Sequence, residues 1–562
     1  MRSFKRKMCL ALSVVMMLTL LYAIGGGASG AATEKPKEVT LKVLVDWNGS
    51  SSLSAADPLN NTVAKIIKEK TGVTLDVEYA TIPENEKLNL IFSSGDMPDI
   101  INGPMWGTGD PCTELFKKAA AQGLLMPLDD LVKDYPLLQQ AMTGIQDADY
   151  KGIATDFVET QLNDPSFNRK HFFIPWQTAR TKEDVTQWGF NVWCRQDILN
   201  ALGVNPADVN TSEKLYELMK QIKAGGFTDI NGKPVIPAGS WSNGWTYDMY
   251  YASYNVMTFT DYIPIDGKVV NKVFSPNMEK QILFMRKLVS EGLIDPECFR
   301  QSDTAAKEKV AAGRIAILAH HYDQIPYAIT PTLYQTNPEM KYIPIGPIPN
   351  AEGEVYGSIE LDGRSGSPTI CITSSCKEPE AALRLLNFLN SEEGLRLICY
   401  GVEGTHYELN DKGQPRFTQE WLEKWKKDPQ LLRNEGIQGV YTYFITLDNR
   451  LSTWGEKSPG DADAIDPDKV VAQKNSPTKF LSGYRITNFH DAYPNKNTLD
   501  SLVSGDLTGT NKDMRERAYF AKSDEEALKI LNDYRQQLID GGIEDYQNYL
   551  TEMSKTRDDI IY

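Results

Sequence analysis

Histidine is scarce in this chain of 562 residues: His171, His320, His321, His406 and His490 are the whole supply. The one adjacent pair, His320-His321, points to opposite faces if it lies on a strand, so it offers no two-ligand metal face. No G-x-S-x-G elbow, P-loop or C-x-x-C pair occurs anywhere. That removes the common signatures of acyl transfer, nucleotide binding and thiol redox chemistry. Basic residues are also in deficit, 59 against 75 acidic. An acidic surface argues against nucleic acid, whose phosphates need a basic face, and against anionic lipid. Long apolar runs are missing after residue 24, so nothing downstream reaches the length of a membrane span. Low-complexity tracts and repeats are absent too.

The one apolar run, Met8 to Ile24, follows Arg2 and Lys5-Arg6-Lys7 and precedes small residues up to Ala32. This reads as an export signal over 1–31, cleaved after Ala31 with Ser29 and Ala31 at the small positions. An uncleaved anchor is the alternative. Residues 1–31 hold four basic and no acidic residues, so their removal takes the net charge from −16 to −20. The remaining length exceeds what one hydrophobic core supports and predicts two or more lobes. Of seven cysteines, Cys9 sits in the leader. The six others are expected to be mostly buried and unpaired, with a Cys371–Cys376 bridge as the one candidate.

Strand and helix patterns alternate. Val39 to Asp46 and Val73 to Tyr79 are strand-like, Asp57 to Gly72 and Glu84 to Ser93 helical, and a third strand begins at Asp99. This β-α-β-α-β order predicts a parallel sheet covered by helices. A second unit opens with the strand Trp188 to Arg195. Helices follow at Gln196 to Leu202, Thr211 to Ala224, Met278 to Glu291 and Ala305 to Ala312, then a buried strand at Arg314 to Ala319. Further helices are expected at 378–389, 392–399 and across the C-terminal region, ending in one long helix or a pair over Ser523 to Ser554. A polar loop is expected around Ser458 to Pro467.

Asp229-Ile230-Asn231-Gly232-Lys233 has a fragment of a calcium-loop pattern but lacks the ligand alternation and terminal Glu, so it reads as a turn. Carboxylates are plentiful, yet no local signature marks an acid–base pair. Aromatics make up 10% of the chain, with ten Trp and 26 Tyr. Several Trp residues fall in polar, turn-forming stretches: Asp46-Trp47-Asn48 after the first strand, Asn102 to Trp106 after the third, Pro175-Trp176-Gln177, and Trp241 to Trp245. Aromatic platforms beside carboxylates and amides suit sugars, whose C–H faces stack and whose hydroxyls take directed hydrogen bonds. In open α/β sheets such ligands sit beyond the carboxyl ends of strands.

Four stretches then resemble one family. Asn89 to Ile101 (NLIFSSGDMPDII) is similar to the "asGDlPDi" signature of extracellular solute-binding proteins of family 1. Phe190 to Gly203, followed by Asn210 to Lys223, resembles that family's strand–helix and helix motifs, and Lys309 to Asp323 its crossover strand. Gly401 to Leu409 (GVEGTHYEL) is very like the "G.EG.hY" motif of long oligosaccharide-binding lipoproteins of Gram-positive bacteria. The resemblance implies an α/β, periplasmic-binding-protein-like fold (type II, maltose-binding-protein-like) with two hinged lobes and an extended helical C-terminal part. Lobe 1 is expected at 32–175 and 315–375, lobe 2 at 176–314 and 376–562. It implies the solute-binding component of an ABC importer: a monomer without catalytic residues, cofactor or metal, secreted or cell-surface associated. Its expected partners are a carbohydrate, most simply an oligosaccharide, and the ABC permease subunits. The expected ligand contacts are Asp46, Trp47, Ser94, Asp96, Trp106, Trp176, Trp241, Trp245, Tyr322, Arg364 and Glu403. Asp96 and Glu403 equally suit turn-pinning roles, and Arg364 a plain turn. The family's lipobox cysteine has no counterpart within Ala23 to Ala31, which removes an acyl anchor. A secreted carbohydrate-active enzyme and a peptide- or lipid-sensing surface protein are the rival readings.

Overall fold

A computed structural model describes residues 36–46, 59–80, 82, 84–105, 111–143, 165–176, 187–241, 244, 247, 250–251, 262–321, 333, 337–346, 348, 355–357, 359–361, 369–411, 413–428, 431–446, 478–480 and 510–555. The proposed leader and the 458–467 loop lie outside them. The strands in chain order are β1 (Val39–Val45), β2 (Val73–Tyr79), β3 (Ile100–Gly103), β4 (Ile174–Pro175), β5 (Gln187–Arg195), β6 (Ile236–Gly239), β7 (Tyr262–Ile265) and β8 (Lys268–Asn271). They continue with β9 (Ile315–His321), β10 (Tyr342–Pro344), β11 (Val355–Gly357), β12 (Ile359–Leu361), β13 (Thr369–Ile372), β14 (Tyr407–Leu409), β15 (Pro415–Phe417) and β16 (Thr478–Phe480).

The first sheet has the order β2-β1-β3-β13-β4. Period-two alternation sends Leu41, Val43 and Val45 to one face and Leu44 to the other. The first face is covered by helices Thr62–Thr71, Pro136–Thr143, Pro379–Leu389 and Glu392–Tyr400, the second by Glu84–Ser94 and Pro111–Ala121. Local chemistry sets the boundaries. Asn61 caps the helix Thr62–Thr71 by accepting from the Ala64 N–H at 2.7 Å. Gly72 ends it at φ 72, where an added Cβ would lie 2.4 Å from the Lys37 carbonyl oxygen, so only glycine fits.

The second sheet has the order β10-β5-β9-β6, with β12 pairing the start of β5. Helices Gln196–Leu202, Ser212–Ala224 and Pro276–Ser290 pack on it, joined by the C-terminal helices Thr510–Tyr519, Asp524–Asp540 and Ile543–Ser554. These last helices are tied on by Arg286 to Asp524 and by Arg535 to Glu279. Gln547 Oε1 and Thr551 Oγ1 accept from the main-chain N–H groups of Asn271 and Val269, on the edge of the β7–β8 hairpin.

Three features differ from the sequence reading. The sheets are mixed rather than parallel: β13 runs antiparallel to β3 and β4, and β5 antiparallel to β9. Each of those antiparallel strands enters its sheet from the other unit, not through a local crossover helix. Ile315–His321, expected in lobe 1, pairs with β5 and β6 in the second sheet, because the β6-to-β9 connection is a local parallel crossover. Residues 376–446, expected in lobe 2, complete the first core. The amphipathic helices Pro379–Leu389 and Glu392–Tyr400 directly follow β13 and bury their apolar faces on the nearest sheet. In line with the sequence reading, the six cysteines from Cys112 to Cys399 are buried and form no disulfide, and the candidate Cys371–Cys376 bridge is absent. Burial pushes the Cys376 thiol up to about 11.

Candidate site at the strand ends of the first unit

The strands of the first sheet end level with one another. Val45 pairs with Asn102, Asn102 with Ile370, and Ile370 with Ile174. Asp46, Gly103 and Trp176 therefore share the carboxyl rim of β1, β3 and β4. The Asp46 N–H donates to the Asn102 carbonyl at 2.7 Å, and the Asp46 side chain is fully buried. The Asn102 side chain is also buried, and its Nδ2 donates to the Tyr443 carbonyl at 2.8 Å. Trp176 is half-buried, and its Nε1–H donates to the neighbouring Thr442 carbonyl at 2.9 Å. One carboxylate, one amide and one indole are thus gathered where ligands meet open α/β sheets.

Among the described residues the chain changes unit three times. It leaves after Pro175 and enters the second sheet at Gln187. It returns between Leu361 and Thr369, and leaves again after Thr446, before the helix Thr510–Tyr519. Ile359 pairs with Gly189, Glu360 with Trp188 and Leu361 with Gln187, so β12 runs antiparallel to the start of β5 beside the first two passages.

Other predicted contacts are dispersed. Ser94 is exposed; its Oγ donates to the Ile91 carbonyl and accepts from the Asp96 N–H, both at 3.2 Å. Asp96 is exposed in that turn. Glu403 is exposed in a tight turn closed by Gly404 N–H to Tyr407 carbonyl at 2.7 Å. Trp241 is 5% exposed within the second unit's core, its ring edge-on to buried His320 at 4.5 Å. It is a packing residue here, not an open platform, because its polar, turn-forming neighbours do not decide where the ring goes. Trp47, Trp106, Trp245, Tyr322 and Arg364 lie outside the described residues. Asp229 Oδ1 accepts from Asn231 N–H at 2.7 Å and Lys233 N–H at 2.9 Å, as a turn residue does. Among the described residues no group of three His, Cys, Asp or Glu side chains is placed to hold a metal.

The residues missed from sequence are Asn102, Asn390 and the main chain of 442–446. Asn102 stands in a segment flagged for Trp106, and its place at a strand end was the available signal. Carbonyl partners leave no trace in side-chain patterns.

Residues 56–395, more than half of the chain, match the model of a family described as bacterial extracellular solute-binding protein. The fructooligosaccharide ABC transporter substrate-binding protein FusA of Streptococcus pneumoniae serotype 4 (strain ATCC BAA-334 / TIGR4) is 26% identical over 265 residues. That alignment covers 46% of this chain and 46% of FusA, so it spans about half of the relative's length. The polygalacturonan/rhamnogalacturonan-binding protein YtcQ of Bacillus subtilis (strain 168) is 21% identical over 74% of this chain and 78% of its own. Among solved structures, S. pneumoniae FusA in complex with kestose superposes with a TM-score of 0.64 at 19% identity, covering 92% of this chain and 99% of that one. The alginate-binding protein AlgQ2 without calcium ion gives 0.60 at 19%, covering 92% and 98%. Both likenesses are of fold: an α/β, periplasmic-binding-protein-like architecture with C-terminal helices.

Proposed function

Because this chain belongs to the bacterial extracellular solute-binding protein family, we propose that it is the capture component of an ABC importer, closing two lobes on an oligosaccharide and delivering it to the permease without chemical change. The observation that carries this is the common rim. Pro175 and Thr369, on either side of the first two passages, pair with each other at the level where Asp46, Asn102 and Trp176 collect, and the Thr442 and Tyr443 carbonyls are bonded to that rim. A solute touching that rim touches residues beside Pro175 and Thr369, where the chain leaves and re-enters the first unit, so its contacts bear on the angle between the units. Trp176 supplies a half-exposed ring face, and the buried Asp46 carboxylate places negative charge on the same rim. Closure would exclude water and strengthen those hydrogen bonds. FusA and YtcQ carry names that specify oligo- and polysaccharides, which favours a glycan over a peptide or lipid. The family is extracellular, and no helix among the described residues is long and apolar enough to cross a membrane. Export by residues 1–31 follows from the same reading.

The test is a thermal-shift panel of neutral tri- to pentasaccharides, oligogalacturonates and short peptides, followed by calorimetry and small-angle scattering on the hits. The expected result is stoichiometric binding of one glycan class, a smaller radius of gyration when bound, and recovery of the glycan unaltered by mass spectrometry. Cleavage of the glycan, or response to peptides alone, would reject the proposal.

A further inference from the structure

The stretch 442–446 has its main chain satisfied by side chains rather than by a sheet. The Thr442 carbonyl accepts from Trp176 Nε1 at 2.9 Å, the Tyr443 carbonyl from Asn102 Nδ2 at 2.8 Å, and the Phe444 carbonyl from Asn390 Nδ2 at 3.2 Å. The Thr446 N–H donates to Asn390 Oδ1 at 2.6 Å. The holders come from three places: the end of β3, the residue after β4, and the C-terminus of the helix Pro379–Leu389. Val440, Tyr441, Tyr443, Phe444 and Ile445 are buried beneath them in the first core. Buried carbonyls demand partners, so each holder fixes the segment as well as contacting it. The segment is the last described part of the first unit before the third passage.

We propose that Asn102 and Trp176 are positioning residues that strap Val440–Thr446 to the rim of the first sheet, so that a solute contacting the Trp176 ring sets the position of that segment through the Thr442 carbonyl. This rests on the solute-binding reading above and adds a mechanical role to one of its contacts. Trp176 is suited to it because its two ends differ: the ring is half-exposed, while the N–H is committed to the strap. Asn102 is fully buried and makes no use of solvent. It acts only through the segment it holds.

The separation is testable with Trp176→Phe, which keeps a ring and removes the N–H, and with Asn102→Ala. Hydrogen exchange on the solute-free full chain should quicken about threefold to tenfold in peptides spanning 440–446 for either variant, the cost of one net hydrogen bond. Peptides from β1 and β2 should exchange as in the wild type. Affinity for the tightest glycan of the panel should fall by a similar factor in each variant. The double variant should lose less than the product of the two, since both act through one segment. Wild-type exchange at 440–446 in Trp176→Phe would overturn the strap, and fully multiplicative affinity losses would overturn the transmission. Should no glycan bind the wild type, the solute-binding reading and the transmission fall together, and the exchange measurement alone decides the strap.

Discussion

Trp176 and Trp241 look alike in sequence, each flanked by polar, turn-forming residues, yet they have opposite fates. Trp176 is half-exposed with its N–H pinned, whereas Trp241 is packed among Trp193, Leu318 and Leu333 with its ring against His320. Trp241→Ala should therefore act on stability. We expect a loss of about 3–5 kcal/mol, read as a lower urea midpoint with an unchanged slope, since deleting a buried ring leaves a cavity. His406 gives a second single-residue prediction. Its Nδ1 accepts from the Val402 N–H at 2.8 Å, its ring lies edge-on to Trp421 at 4.4 Å, and it is buried. Burial holds its pKa below the ordinary 6.5; Glu435 opposes that shift and Lys424 adds to it. The folded state thus binds the proton less readily than the unfolded chain. Its stability is intact above pH 6.5 and is lost as pH falls from there toward the depressed value. Chemical denaturation between pH 7.5 and 5 should show this fall, and His406→Gln should flatten it.

At the scale of elements, the C-terminal helices are structural members of the second unit. Leu531, Tyr534, Leu538, Tyr546 and Leu550 are buried in its core. Gln547 and Thr551 occupy the N–H groups along the edge of β8. Truncation before Asp524 should expose both an apolar face and an unpaired strand edge. The expected outcome is aggregation on size-exclusion chromatography and loss of the cooperative transition of the second unit. The milder Arg535→Ala, which removes bonds to Glu279 and the Val273 carbonyl, should cost about 1–2 kcal/mol and leave the protein soluble. Many elements were legible before the structure. The strand Val73–Tyr79 and the helix Gln196–Leu202 appear with the bounds their patterns predict, since both are set by local periodicity and glycine stops. Strand direction was not legible. The pattern of β13 is a short apolar run, and nothing in TICI states that it enters antiparallel from the far unit.

At the scale of the whole molecule, the assignment of segments to units depended on long-range pairing. Ile315–His321 lies in the second sheet and residues 376–446 in the first core, against the expected partition. Both errors came from dividing the chain into blocks, whereas described segments alternate between the two cores along the chain. The candidate site shares this origin. Asp46 and Trp176 were singled out for their chemistry, but Asn102 joins them only because β1, β3, β13 and β4 align in register.

The sequence by itself determined the acidic, catalytic-motif-poor character of the chain, its alternating α/β elements and the family motifs, because each is carried by side chains near one another in the chain. Only the tertiary structure decided which unit each element joins, that Trp241 is core and Trp176 rim, and that the main chain of 442–446 is held by Asn102, Trp176 and Asn390. Those outcomes rest on contacts between residues from 54 to 341 positions apart, several of them to carbonyl groups that every residue possesses and that no sequence pattern can mark.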